Sequence, residues 1–188
     1  MKALFQHSPK IKVLPSQLIN QIAAGEVIER PASIVKELVE NAIDAKASII
    51  EVDLWDAGKK KIIVRDDGEG MNPQDLMLCV ERHATSKINA VDDLFKVKTL
   101  GFRGEALPSI ASISRMTLSS KDAFATEGFR VKLEGGLKME ESVCGIPKGT
   151  EIIVEDIFFN TPARYKFLKS SQTELSHCVE IIEQLALL

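Results

Sequence analysis

Cysteine is sparse in this chain and long apolar runs are missing, and each shortage removes a class of protein. Cys79, Cys144 and Cys178 are odd in number and far apart. They form no CxxC pair and have no histidine pair beside them, which excludes the usual zinc spacings and makes reduced core thiols the expectation. No stretch approaches the roughly 18–20 apolar residues that span a bilayer, and the N-terminal MKALFQHSPK lacks the apolar segment of a signal peptide. A reducing, aqueous compartment is expected. Charge of one sign is also lacking. The 24 Lys and Arg nearly balance 27 Asp and Glu, for a net −3, so any basic surface that meets nucleic acid must be local.

Several catalytic signatures are absent as well. There is no GxxxxGK[ST] and no GxGxxG, and DAGKK at residues 56–60 reads as a hairpin turn with solvated lysines. No GxSxG elbow occurs, and His7, His83 and His177 have no nucleophile partner in sequence, which leaves hydrolase triads unsupported.

What remains is a 188-residue chain, 45% hydrophobic and 27% charged, enough for one globular domain with a sizeable core. SQLINQIAAGEVI has helical spacing, with Ser16 as its expected N-cap and Gly25 ending or bending it. A second helix starts at Pro31, whose missing N–H costs nothing in a first turn. Residues 49–55 and 60–66 read as an antiparallel hairpin. A helix carrying QDLMLCVE follows from Asn72 as N-cap and Pro73. Residues 82–104 lose periodicity and read as a long functional loop or lid. Order resumes with a helix at GEALPSIASI, then strands at 115–120, 128–133 and 150–155 separated by glycine-rich turns. TPARYKFL and TELSHCVEIIEQLALL close the chain as helices; the last stops without a cap, so a chain cut from a longer one is expected. The implied fold is α+β, a two-layer sandwich with a mixed, mostly antiparallel sheet and helices on one face.

Chemistry concentrates in two places. On the helix from Pro31, about 100° per residue puts Val35, Leu38, Val39, Ala42 and Ile43 on one side and Glu37, Glu40, Asn41 and Asp44 on the other. Taken alone, this is an ordinary amphipathic surface helix with a solvated polar face. At VRDDGEGM a strand delivers Asp66 to its end, and Gly68 and Gly70 let the backbone turn tightly and admit a flat ligand; taken alone, this is a turn. A third part, TLGFRGEA, pairs glycines at the mouth of a helix.

In this order, KELVENAIDA, DDGEGM and TLGFRGEA resemble the N box and two glycine boxes of the GHKL (Bergerat-fold) ATPases. NQIAAGEVIERPASIVKELVEN, RHATSK, GFRGEA and FFNTPAR narrow the resemblance to the MutL family of DNA mismatch repair proteins, from about Ile11 to the end. The resemblance implies an ATP- and Mg²⁺-dependent ATPase. Glu37 would be the general base and Asn41 would complete the Mg²⁺ shell, while Glu40 and Asp44 are structural or solvated. Asp66 would read the adenine amino group, with Gly68 and Gly70 clearing space for the base and Thr150 supporting the contact. Backbone N–H groups over Gly101, Phe102, Arg103 and Gly104 would wrap the phosphates, and Thr85, Ser86 and Lys87 would add contacts from the lid. The family's phosphate-sensing lysine belongs to a following domain, so Lys87 is not given that role and weak turnover is expected of this chain alone.

The resemblance further implies ATP-driven homodimerisation of the longer protein, coordination with a MutS-like mismatch-recognition protein and downstream repair enzymes, and DNA contact mostly through other regions. A transducer and a C-terminal dimerisation domain would follow residue 188. Residues 1–20 would serve as an arm that orders on dimerisation. No membrane partner is expected, and the location would be cytoplasmic in a bacterium or nuclear in a eukaryote. Alternative readings are a gyrase-like or histidine-kinase ATP domain, or a scaffold with a degenerate nucleotide site. Arg164, Lys166 and Lys169 form only a small basic cluster, expected to be a solvated face.

Overall fold

Apolar and polar residues alternate in IEVDLW, which makes a strand with one covered face, while KIIVRD carries three consecutive buried residues, Ile62, Ile63 and Val64; the two strands are joined across a three-residue 3₁₀ turn. A computed structural model describes residues 12–87 and 104–187. Its elements run α1 (Ser16–Val27), α2 (Pro31–Asp44), β1 (Ile50–Trp55), β2 (Lys61–Asp66), α3 (Pro73–Leu78), α4 (Ala106–Ser112), β3 (Arg115–Lys121), β4 (Gly128–Glu134), β5 (Leu137–Cys144), β6 (Gly149–Glu155), α5 (Pro162–Phe167) and α6 (Ser171–Leu185).

The strands form one six-stranded sheet in the order β1-β2-β6-β3-β4-β5, and every described pairing is antiparallel. Register aligns the inward side chains into rows across the strands. Leu54, Ile62, Val154, Met116 and Leu133 make one row; Val52, Val64, Ile152, Leu118 and Val131 make the next. Both are covered by the apolar faces of the helices, where Ile28, Ile34, Val35, Leu38, Leu76 and Ile110 are buried. Fully burying one such side chain contributes about 1.5–3 kcal/mol. The opposite sheet face carries ion pairs, among them Arg65 with Asp53 and Glu151, and Lys132 with Glu140. Exposed pairs of this kind add little to stability. The α+β two-layer expectation therefore holds.

Local expectations fare unevenly. Pro31 opens α2, and Asn72 caps α3 by accepting from the Asp75 N–H at 2.9 Å. Ser16 is not a cap: it is the first residue of α1, preceded by Pro15. That places residues 16–20 in a helix rather than a loose arm, while residues 1–11 lie outside the described set. Gly25 does not end α1, which continues to Val27. A Cβ at Gly25 would collide with the Arg164 guanidinium, which crosses α1 there and donates to the Ile22 carbonyl at 3.4 Å. α3 stops at Leu78, short of Val80 and Glu81. β5 was not expected. As the outer strand, its first five residues are all exposed, so it has no inward period to read, and its charges guard an open edge. Lys59 is not solvated either; its ammonium donates to the Lys169 carbonyl and Ser171 Oγ, docking the β1–β2 turn on α6. All three cysteines are free. Cys178 lies in the core and Cys79 packs against it, but Cys144 sits on the edge strand.

Candidate functional site

The polar stripe of α2 is not a solvated face. Glu40 is only 8% exposed and pairs with Lys36 one turn earlier at 3.0 Å. Glu37, Asn41 and Asp44 are half-buried, and their spacing of four and three residues keeps them within about 60° of one another on the helix. Lys87 covers part of this side.

Beyond the two apolar rows, the same inward sheet face continues into a third: Ile50, Asp66, Thr150, Ser120 and Phe129. Its centre is polar and cross-linked. Ser120 Oγ accepts from the Met71 N–H at 2.8 Å, donates to the Gly149 carbonyl at 2.9 Å, and lies 2.9 Å from Thr150 Oγ1. With its only proton on Gly149, Ser120 must accept from Thr150, which leaves the Thr150 oxygen as an acceptor. Asp66 Oδ1 accepts from the Gly68 N–H at 2.9 Å. Burial pushes the Asp66 carboxyl above its ordinary range, opposed by the backbone N–H groups of Gly68 and Thr150. A carboxylate with unspent acceptor capacity in a low-dielectric setting is suited to a neutral, planar N–H donor.

The loop after β2 locks this row to α2. The Glu69 N–H donates to the Ala45 carbonyl at 2.9 Å, and Asp67 Oδ1 accepts from the N–H groups of Ser48 and Ile49 at 2.7 and 2.9 Å. A Cβ on Gly68 would lie 2.7 Å from the Ala45 carbonyl and 2.8 Å from Asp66 Oδ1. One on Gly70, at φ +71°, would strike the Lys121 backbone. Both glycines thus let the loop pack against its own neighbours. From Ala45, where Asp66 sits, Asn41 and Glu37 lie roughly 6 and 12 Å back along the helix axis at 1.5 Å per residue.

Lys87 closes the far side. Its ammonium donates to Asn41 Oδ1 at 3.1 Å and pairs with Asp44 Oδ2 at 2.5 Å. Thr85 Oγ1 accepts from the Lys87 N–H at 3.1 Å, while Ser86 is exposed. Gly104, at φ +63°, brings its backbone against the Ala84 carbonyl, and His83 Nδ1 meets Glu105 at 2.7 Å, so both shoulders of the expected lid are tied together. Gly101, Phe102 and Arg103 lie outside the described residues. Two concavities flank this end of the sheet. One of about 310 Å³ lies between Lys121, Gly128 and Cys144, and one of about 240 Å³ touches Asp66, Thr150, Arg130 and Lys148. The basic cluster after NTPA divides: Arg164 is pinned to α1, while Lys166 and Lys169 are exposed.

Residues 29–135 match the profile of the histidine kinase-, DNA gyrase B- and HSP90-like ATPases. The chain belongs to this ATPase family. Within it, the chain is similar to the DNA mismatch repair protein MutL of Syntrophotalea carbinolica, 57% identical over 96% of this chain and 29% of that protein. MutL of Geotalea daltonii is 54% identical over 95% of this chain and 30% of its own length. Among solved structures, the Aquifex aeolicus MutL ATPase domain complexed with ADP superposes with a TM-score of 0.70 at 38% identity, covering 86% of this chain and 56% of that one. The chain spans under a third of the length of these curated relatives.

Two residues of this arrangement had no such place in the sequence reading. Ser120 hides in RMTLSSK, where only its register opposite Thr150 gives it a role; the signal was the period of two from Met116 and Leu118. Asp44, expected to be structural or solvated, shares Lys87 with Asn41, a meeting of residues 43 positions apart that no local pattern encodes.

Proposed function

We propose that this chain binds ATP together with Mg²⁺ and hydrolyses it, as the nucleotide-driven switch of a MutL-type DNA mismatch repair protein. The carrying observation is that the Asp66–Thr150–Ser120 row and the Glu37–Asn41–Asp44 stripe share one end of the molecule, joined through the loop clamped on Ala45. The ADP held by the Aquifex aeolicus domain supports a purine nucleotide as the ligand.

In this reading Asp66 accepts from the adenine amino group, and Thr150, held by Ser120, supplies the adjoining acceptor. Gly68 and Gly70 keep the loop flat beside the base. Thr85, Ser86, Lys87 and the backbone over Gly101, Phe102, Arg103 and Gly104 surround the phosphates, where free N–H groups favour an anion. Glu37 orients the attacking water and takes its proton, so that turnover is positioning and charge neutralisation. Magnesium, when bound with nucleotide, neutralises charge on the phosphate oxygens. Asn41 and its surroundings fit such an ion: two oxygens, from Asn41 and Asp44, already hold the Lys87 ammonium, and hard oxygen donors are what Mg²⁺ takes. Among the described residues no group of three or more His, Cys, Asp and Glu could hold a metal, so Asn41 would hold the ion together with the nucleotide's own phosphates.

The chain is one ATP-binding domain, followed in the longer protein by a transducer and a dimerisation domain. ATP binding orders the lid and drives homodimerisation, which couples a MutS-like mismatch-recognition protein to downstream repair enzymes on DNA. No described helix is long and apolar enough to cross a membrane, and a bacterial cytoplasm is the proposed location.

A non-hydrolysable ATP analogue with Mg²⁺ is expected to raise Tm, and Asp66→Ala to abolish that rise; an unchanged Tm at millimolar analogue would overturn the reading. Glu37→Gln should keep the rise while slowing hydrolysis by about 10²–10⁴-fold in a chain extended through the next domain. Parental turnover in that variant would remove Glu37 as the base.

A further inference from the structure

The Lys87 ammonium is half-buried against α2, at the shoulder of the expected lid. Its side chain is 20% exposed and that of its partner Asp44 only 9%. A single ammonium bridges the Asn41 amide oxygen at 3.1 Å and the Asp44 carboxylate at 2.5 Å. Asn41 is neutral and offers the cation one lone-pair oxygen; Asp44 supplies the charge that keeps the lysine there. A charge-assisted bond at low exposure is worth more than a surface pair. The oxygen that would ligate a divalent ion is thus already spent on a protein cation, three residues from the carboxylate that anchors it.

We propose that Lys87 is the resident cation of this site in the nucleotide-free chain, and that Asp44 is a positioning residue that holds it over Asn41. Arrival of nucleotide with a divalent ion exchanges one cation for the other: the ion takes the Asn41 oxygen and Lys87 is released from it. The exchange keeps the Asn41 oxygen beside a cation in both states. Lys87 and Asp44 therefore set how much divalent metal the site requires. This inference rests on nucleotide binding at Asn41, as proposed above.

The test uses Mn²⁺ with a non-hydrolysable ATP analogue and reads the Mn²⁺ concentration for half-saturation by water-proton relaxation. With the analogue held saturating, so that the phosphate contact given to Lys87 above does not limit binding, Lys87→Met is expected to lower that concentration by about tenfold, the worth of one bond to a charged group. Lys87→Arg, which keeps a cation, should stay near the parent. Asp44→Asn, which loosens the lysine, should shift the value in the same direction as Lys87→Met, and the double variant should add nothing further. An unchanged requirement in Lys87→Met overturns the proposal, as does a several-fold rise in Asp44→Asn, which would make Asp44 itself a metal ligand. Should Lys87→Met fail to fold, the Asp44→Asn and Lys87→Arg arms decide alone. Failure of the parent to bind the analogue at all would instead strike the nucleotide reading.

Discussion

The inward face of the sheet holds two kinds of ground within one register. Its first two rows, from Leu54 to Leu133 and from Val52 to Val131, are apolar and covered by helices. One step further along the same strands, the row through Asp66, Thr150 and Ser120 is polar, buried at Thr150 and Ser120, and hydrogen-bonded across strands. Strand pairing is shared; the third row differs in side-chain chemistry and is shallower at Asp66 and Phe129, which are half-buried. The first rows reward burial; the third bears a cost of burial that nothing in the fold alone requires. Such a cost at the end of a well-packed sheet is what a ligand site looks like.

The sharpest way to break this comparison is Leu118→Ala in the second row. Leu118 is fully buried, and its truncation should cost about 2–5 kcal/mol, a fall in Tm on the order of 10 °C, while the Tm rise on adding nucleotide persists. If that rise vanished, the two grounds would not be separable. Ser120→Ala should cost less, about 1–3 kcal/mol, because it strands the Met71 N–H and the Gly149 carbonyl rather than opening a large void. It should also reduce nucleotide affinity, since Thr150 loses its partner. Chemical denaturation and calorimetric titration of the same preparations separate the two effects.

The smallest and most telling change is Asp66→Asn. Burial raises the Asp66 carboxyl in the folded chain above its ordinary value, so the folded state holds that proton more tightly than the unfolded state does. Ionised Asp66 therefore lowers stability at neutral pH, and the penalty is relieved as pH falls through the raised value toward the ordinary one. Asp66→Asn should then be slightly more stable than the parent at pH 7, with the gain fading in the acid range, while losing nucleotide binding. A variant less stable than the parent at pH 7 would show that the bonds from Gly68 and Thr150 outweigh desolvation. Labelling offers a further check: burial lifts the thiols of Cys79 to about 12 and Cys178 to about 11, so at pH 8 a maleimide should modify Cys144 well before either.

Legibility in the sequence followed burial. α2, the β1–β2 hairpin, β3, β4 and β6 announce themselves because each has an apolar period matched to its geometry. β5 did not, since an exposed edge strand needs no such period. Gly25 misled for the opposite reason: glycine usually interrupts a helix, yet here it makes room for Arg164 from α5, 139 residues away in sequence. Ser16 next to Pro15 looked like a cap, but the proline took the flanking position and the helix began at Ser16, one residue earlier than a serine cap would allow.

By itself the sequence determined the local alphabet of this protein: which segments become helices and strands, which face of each is apolar, and that Glu37, Asn41 and Asp44 must share a side of one helix, because helical and strand periods are properties of the backbone. Only the tertiary structure decided that Ser120 stands beside Thr150, that Asp66 is clamped against the end of α2, and that Lys87 rests between Asn41 and Asp44. Those meetings depend on strand register and on loops folding across the sheet, and neither leaves a period along the chain.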